Sequence, residues 1–181
     1  MKKIIYEIIF FNLMGWKIVG KMNPKIKKSI IIVVPHTSWH DFYIGLFVRG
    51  IIGLEMNFVA KKELFKFPFG YYFRWMGGAP LNRNSRQNTV EAISEIFEKR
   101  EIFRLAIAPE GTRKKVDDWK TGFYYISLKA KVPIIPIAFD YSKKLVILHE
   151  AFYPSGKIED DFNILKENYK GIFGKIPKNS F

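Results

Sequence analysis

An α/β domain, with a central mixed β-sheet covered by helices, is the fold class this sequence predicts. Three observations carry it. Short apolar runs of strand length alternate with longer stretches at helical spacing along the whole chain. The strongest run, Ile30-Ile31-Ile32-Val33-Val34, is rich in β-branched residues and has buried-strand length. The chain has 181 residues, 48% of them hydrophobic, which is enough for one domain with a proper core.

Each element has its own reason. The first helix is expected over 4–18, from the apolar run that starts at Ile4. Lys2 and Lys3 precede that run, and Glu7 and Asn12 interrupt it. It is too short to span a bilayer, and no small-x-small cleavage pattern follows, so it reads as a helix lying in a membrane interface. Trp16, Lys17 and Lys21 flank its far end. Packing of the same helix on the domain is the competing reading. Residues 1–21 therefore form an N-terminal amphipathic, interfacial segment, and 22–181 the main domain. A strand over 29–34 ends at Pro35, because proline cannot donate to a sheet ladder. A helix over 39–49 follows. Further strands are expected over 56–60, 104–108, 134–139 and 145–149, with helices over 69–75, 85–100, 122–130 and 160–169. In the 85–100 helix a capping pattern at Asn84-Ser85-Arg86-Gln87 precedes Val90, Ile93, Ile96 and Phe97 at helical spacing. The tail from Gly174 onward reads as loosely held.

The charge balance narrows the partners. Thirty basic residues against 17 acidic give a net charge of +13, so the surface seeks polyanions. Aromatics make up 17% of the chain and stand beside lysines, as in Phe65-Lys66-Phe67-Pro68-Phe69. That pattern suits the boundary between water and lipid, and an anionic membrane surface is the expected partner. Nucleic acid is not, since no zinc-finger spacing or single-strand RNA motif is present. The absence of cysteine excludes disulfides, thiolate zinc sites and a cysteine nucleophile. Three histidines without a His-Glu-x-x-His pattern do not point to a metal site.

The residues most loaded with chemistry are His36 and Asp41, in the run Pro35-His36-Thr37-Ser38-Trp39-His40-Asp41. A histidine stands where a strand ends, and a carboxylate follows five residues later near a helix start. Such a loop can bring the carboxylate to one imidazole nitrogen and leave the other free, as a general base requires. A plainer reading makes Ser38 an N-cap and Asp41 its capping-box partner; the two roles are compatible. Arg83, directly before a helix start, reads as an anion site, because free backbone N–H groups and a guanidinium point to one place, with a solvated surface arginine as the competing reading. His40 and His149 have no carboxylate at the same spacing.

Four blocks in this order, His36 to Asp41, Gly77 to Arg83, Pro109-Glu110-Gly111-Thr112-Arg113 and Val132 to Ile137, resemble the glycerolipid acyltransferase family, whose best-known members are lysophosphatidic acid acyltransferases. The resemblance spans roughly residues 30–139, and its first and third motifs are the specific ones. It implies the glycerolipid acyltransferase fold and an O-acyltransferase of phospholipid synthesis, peripheral on the cytoplasmic face of the cell membrane. The donor would be a fatty acyl thioester of acyl carrier protein or coenzyme A as co-substrate, with no cofactor. The acceptor would be a lysophospholipid. His36 and Asp41 would be catalytic. Arg83, Glu110, Gly111 and Arg113 would bind the acceptor, with Thr112 beside them. Glu110 would order the acceptor or brace Arg113, and amides around Gly111 are candidate oxyanion donors. A covalent route through Ser38 is disfavoured because there is no Gly-x-Ser-x-Gly elbow. Two departures, Ala108 where a large residue is common and Asn82 where an acidic one is frequent, leave the acceptor open. Lysophosphatidic acid, glycerol-3-phosphate, another lysophospholipid and a lyso-aminolipid all remain, as does a non-catalytic lipid-binding relative.

Overall fold

A computed structural model describes residues 2–81 and 89–180. The five expected strands are all present with ends within two residues: β2 (Lys28–Val34), β3 (Phe58–Lys61), β5 (Phe103–Ile107), β6 (Ile134–Asp140) and β7 (Leu145–Leu148). Two short strands join them, β1 (Lys17–Val19) and β4 (Gly78–Leu81). The main sheet has the order β1-β7-β6-β2-β5, parallel throughout except for the β6–β7 hairpin, so it is mixed. Strands β3 and β4 form a parallel pair of their own. A bridge from Asn57 to Leu105 ties that pair to β5: the Asn57 amide donates to the Arg104 carbonyl, and its own carbonyl accepts from Ala106.

Helices cover both faces, and the side chains of β2 alternate between them. Ile30, Ile32 and Val34 join one core, with Phe97 of α4 (Thr89–Lys99), Tyr124 of α5 (Gly122–Ala130) and Leu165 of α6 (Ile158–Glu167). Ile31 joins the other, with Phe10, Trp16 and the inner side of α2 (His40–Ile52). A strand buried on two faces has no polar side, which is why the run 30–34 is continuously apolar. The helix α3 (Gly70–Trp75) precedes β4.

Three expectations need correction. The helix expected over 4–18 is shorter. An α-helical stretch α1 (Lys2–Glu7) runs into a π-helical turn (Ile8–Leu13), and Gly15, at φ +70°, ends it. Residues 17–19 are extended instead and pair with β7, and Phe10 and Trp16 are buried. The N-terminal segment is thus packed into the same core as the rest, while Ile4, Ile5, Ile8 and Leu13 stay exposed. The glycine- and proline-bearing stretch 78–81 forms a strand with no forecast, which its edge position permits, since Pro80 needs no second partner. The tail is not loose. Residues 173–180 are tied down at both ends: the Tyr141 amide donates to the Phe173 carbonyl at 2.8 Å, and Gly174 N–H donates to Ser180 Oγ at 2.9 Å.

Candidate active site

Strands β6, β2 and β5 run parallel on one side of the sheet, so their carboxyl ends lie along one edge. Loops leaving that edge meet, as ligand sites in α/β sheets do. The register is direct: Ile32 pairs with Ile107 on one side and with Pro136 on the other. Continuing each strand by three to five residues brings His36, Glu110 and Tyr141 close to the same level.

His36 Nδ1 lies 3.0 Å from Asp41 Oδ2. That oxygen also accepts the backbone N–H groups of Thr37 and Ser38, both at 2.9 Å. The other, Oδ1, accepts the hydroxyl of Tyr141 at 2.7 Å. Burial by itself would raise the Asp41 carboxyl; the hydrogen bonds from His36, the Ser38 amide and Tyr141 outweigh it and hold the group below the usual carboxylate range. An ionised Asp41 accepts, so Nδ1 carries the proton and Nε2 is left with its lone pair. The expected N-cap shifts by one residue: α2 starts at His40 with Trp39 as its N-cap, which makes no side-chain cap bond. Ser38 Oγ still accepts the His40 amide, and the Asp41 carboxylate reaches back to the Ser38 amide. One carboxylate ties down the loop before the helix and orients the imidazole.

Glu110 is almost fully buried, and its two oxygens take the His36 backbone N–H at 2.9 and 3.1 Å. It thus sits behind the histidine rather than beside Arg113, and it is not part of the cleft wall. Gly111 explains this. Its φ of +66° turns the chain, and a Cβ there would come within 2.8 Å of the Lys120 stem. Residues before the turn face inward; Thr112 and Arg113 run out toward solvent. Burial pushes the Glu110 carboxyl up to about 7, against the opposing pull of the His36 amide. The Gly111 amide donates to the Ala108 carbonyl at 3.1 Å, so it is already engaged and not aimed at an oxyanion. Arg83 falls in the stretch outside the described residues.

Two spaces meet at His36. One is an apolar cavity of ≈ 230 Å³ between α2 and the strands β3 and β5, walled by Phe42, Gly45, Met56, Phe58 and Ala106 among others. It follows α2 from Asp41 to Arg49, about 12 Å at 1.5 Å per residue. Arg49 donates to the Met76 carbonyl at its far end. The other is an open polar cleft of ≈ 800 Å³, between Ser38-Trp39 on one side and Gly111 to Lys114 on the other. Arg113 and Lys114 supply its positive charge, and both are exposed.

The remaining histidines do not join the dyad. His40 Nδ1 lies 2.9 Å from Ser38 Oγ, and its ring rests on Trp39. His149 is held low by burial and faces Tyr169. Sequence reasoning missed Tyr141, which follows the fourth block. Its only signal is register: Ala138 pairs with Val34, so the residue three beyond Ala138 stands level with Thr37.

The fold is that of an α/β protein in which one histidine is oriented by a buried carboxylate. A family model described as Acyltransferase matches residues 16–140, and the chain belongs to that family. It is 28% identical over 138 residues to the 1-acyl-sn-glycerol-3-phosphate acyltransferase of Saccharomyces cerevisiae, covering 72% of this chain and 44% of that protein. To the enzyme of the same name from Bacillus subtilis it is 30% identical over 128 residues, covering 69% of this chain and 62% of the relative. The chain thus spans less than two thirds of these relatives. Its fold is that of the 1-acyl-sn-glycerophosphate acyltransferase PlsC from Thermotoga maritima, with a TM-score of 0.58 and 21% identity over 96% of this chain and 81% of the other.

Proposed function

We propose that this protein is an O-acyltransferase that moves a fatty acyl group from a thioester to a free hydroxyl of lysophosphatidic acid, in phospholipid synthesis. One observation carries this reading: His36, whose Nε2 makes no hydrogen bond among the described residues, lines both the apolar cavity and the cationic cleft. A reaction at that junction joins a hydrocarbon chain to a charged headgroup. The names of the relatives agree with it.

The chemistry follows. The acceptor hydroxyl attacks the thioester carbonyl carbon as Nε2 of His36 takes its proton. The imidazolium formed is stabilised by the Asp41 carboxylate. The tetrahedral intermediate collapses, the C–S bond breaks, and the imidazolium returns the proton to the leaving sulfur. The acyl tail of the donor, a thioester of coenzyme A or of acyl carrier protein, lies in the apolar cavity. The acceptor phosphate sits in the cleft against Arg113, with Lys114 adding charge and Arg83 as a second guanidinium.

The protein acts at an anionic membrane surface, peripherally, on the cytoplasmic face. Among the described residues no helix is long and apolar enough to cross a membrane. Two exposed apolar patches flank α2: Ile4, Ile5 and Ile8 on α1 and its continuation, and Phe67, Phe69, Tyr71 and Trp75 around α3. The same turn of α2 touches the segment behind each: Arg49 bonds Met76 and its neighbour Gly50 lies against Tyr6. The net charge of +13 supplies the long-range attraction.

The test is acyl transfer from coenzyme A and acyl-carrier-protein thioesters to a panel of lysolipids on anionic vesicles. Lysophosphatidic acid should be acylated fastest. Equal rates with phosphate-free acceptors, or release of free fatty acid alone, would sink the reading.

A further inference from the structure

The stretch 173–180 has no place in the four sequence blocks, yet it touches both catalytic loops. Gly174 lies against the histidine loop so closely that a Cβ on it would come within 2.6 Å of both Thr37 Oγ1 and Cγ2. The Ile176 amide donates to Thr37 Oγ1 at 3.1 Å. Thr37 is fully buried, and its own amide holds Asp41. At the other end, Asn179 Nδ2 donates to the Arg113 carbonyl at 2.9 Å. Ile176 and Asn179 both line the polar cleft. The strap is thus a bridge between residue 37 and residue 113, whose loops leave different strands and are joined to each other mainly by the His36–Glu110 contact beneath them.

We propose that this strap is the third wall of the acceptor cleft and that Asn179 is a positioning residue for Arg113. The inference rests on the reading of the cleft as the acceptor site. Physically, the Arg113 loop is exposed, and its guanidinium takes part in no hydrogen bond or ion pair recorded among the described residues. Pinning its carbonyl to Asn179, and the strap in turn to Thr37, fixes the span between the guanidinium and the imidazole. That span decides whether a phosphomonoester can be held while its hydroxyl meets Nε2. A longer phosphodiester headgroup fits a cleft with a slack wall better than a fixed one.

The experiment is a double-mutant cycle on the full chain. Steady-state kinetics use 1-oleoyl lysophosphatidic acid and 1-oleoyl lysophosphatidylglycerol as acceptors. Asn179→Ala should raise KM for lysophosphatidic acid roughly tenfold, the scale of one hydrogen bond's net contribution. Its kcat and the donor KM should stay near wild type, and its preference for the monoester should fall by a similar factor. In an Arg113→Ala background the same change should raise KM no further, because Asn179 acts through Arg113. Additive effects, an unchanged acceptor KM, or an equal loss of kcat with both acceptors would overturn the proposal. Calorimetric binding of glycerol-3-phosphate gives a readout without turnover: affinity should weaken about tenfold in the variant. A wild type that acylates neither lipid would refute the proposed reaction, and the binding cycle would still decide the strap.

Discussion

The two spaces that meet at His36 solve opposite problems. The apolar cavity lies between α2 and two strands, and its side chains carry almost no hydrogen-bonding groups apart from the dyad, Asn57 and Arg49. It recognises by area excluded from water, so affinity grows with chain length and has little direction. The polar cleft is more than three times larger and open, and its attraction comes from Arg113 and Lys114 on an exposed loop. It recognises by charge and geometry, so it depends on salt and on how well the cations are placed. Among the described residues only His36 and Ala108 line both, and Asp41 reaches the cleft through His36. The difference predicts that the two halves of the reaction can be damaged separately, while the residues at the junction cannot be touched without damaging both.

The largest effect is expected at the junction. His36→Ala should lower kcat by on the order of a thousandfold or more with modest changes in either KM, because the base acts in the transition state. Asp41→Asn should fall in the same range: the amide fixes the wrong tautomer and loses the charge that stabilises the imidazolium. Rates for both variants across several donors and acceptors settle the matter. A loss confined to one acceptor or one chain length would break the comparison, since the junction would then belong to one side.

Behind the junction lies Glu110, and its signature is in stability rather than rate. Its carboxyl goes from an ordinary 4.5 in the unfolded chain to about 7 when buried. A raised carboxyl binds its proton more tightly in the folded protein. Its stabilising contribution is therefore complete below pH 4.5 and is lost as the pH rises through 7. The gap corresponds to about 3 kcal/mol. Glu110→Gln keeps an oxygen for the His36 amide but cannot ionise. Urea unfolding from pH 5 to 8 should find the native protein losing stability relative to the variant by roughly that amount. Parallel pH profiles would mean that the carboxyl is not desolvated in solution. Asp41 works with the opposite sign, adding stability at neutral pH that is lost on acidification below the carboxylate range.

How much of this was legible in the chain depends on whether the cause is local. The strand 30–34 and the dyad spacing are local: β-branched residues, a proline stop and a five-residue loop leave few alternatives. Gly111 and its turn are also local. The partners of the dyad are not. Tyr141 reaches Asp41 from a hundred residues away, and Glu110 reaches His36 from seventy-four. Only the parallel register of β2 with its two neighbours brings them together, and pairing order is not written in any one segment. The tail misled for the same reason. Its lysines, proline and glycine look like a free end, and what holds it is backbone N–H groups and one amide side chain meeting loops formed much earlier in the chain. The strand β1 was hidden by three residues inside an apolar helix-like run, where burial of Trp16 and pairing with β7 override helical propensity.

On the polar side, Arg113→Ala should raise the acceptor KM roughly ten- to a hundredfold, the loss of a charge-assisted hydrogen bond worth about 1.5–3 kcal/mol. Arg113→Lys should recover little, since an ammonium cannot reproduce the two-pronged contact. The chain-length profile of the donor should not move. A shifted donor profile would show that the two spaces are coupled.

The smallest expected effect is on the apolar side, and it is the most discriminating. Gly45 lies in the second turn of the path from Asp41 to Arg49, lines the cavity, and has no atom beyond its own helix backbone and chain neighbours within 4 Å of where a Cβ would sit. Gly50, on the same helix, is the contrast: a Cβ there would collide with the Tyr6 ring at 2.2 Å. Gly45→Leu therefore fills empty space instead of displacing a neighbour. It also removes a glycine from a helix interior, which should stabilise the protein by roughly 0.5–1 kcal/mol. Long-chain donors should lose about tenfold in kcat/KM, the cost of excluding one or two methylenes from an apolar pocket. Short-chain donors should be used as before, and the acceptor KM should hold. A melting temperature that rises while long-chain activity falls separates a filled cavity from a damaged fold. A uniform loss at every chain length would place the acyl chain outside this cavity and leave His36 with only one of its two neighbours explained.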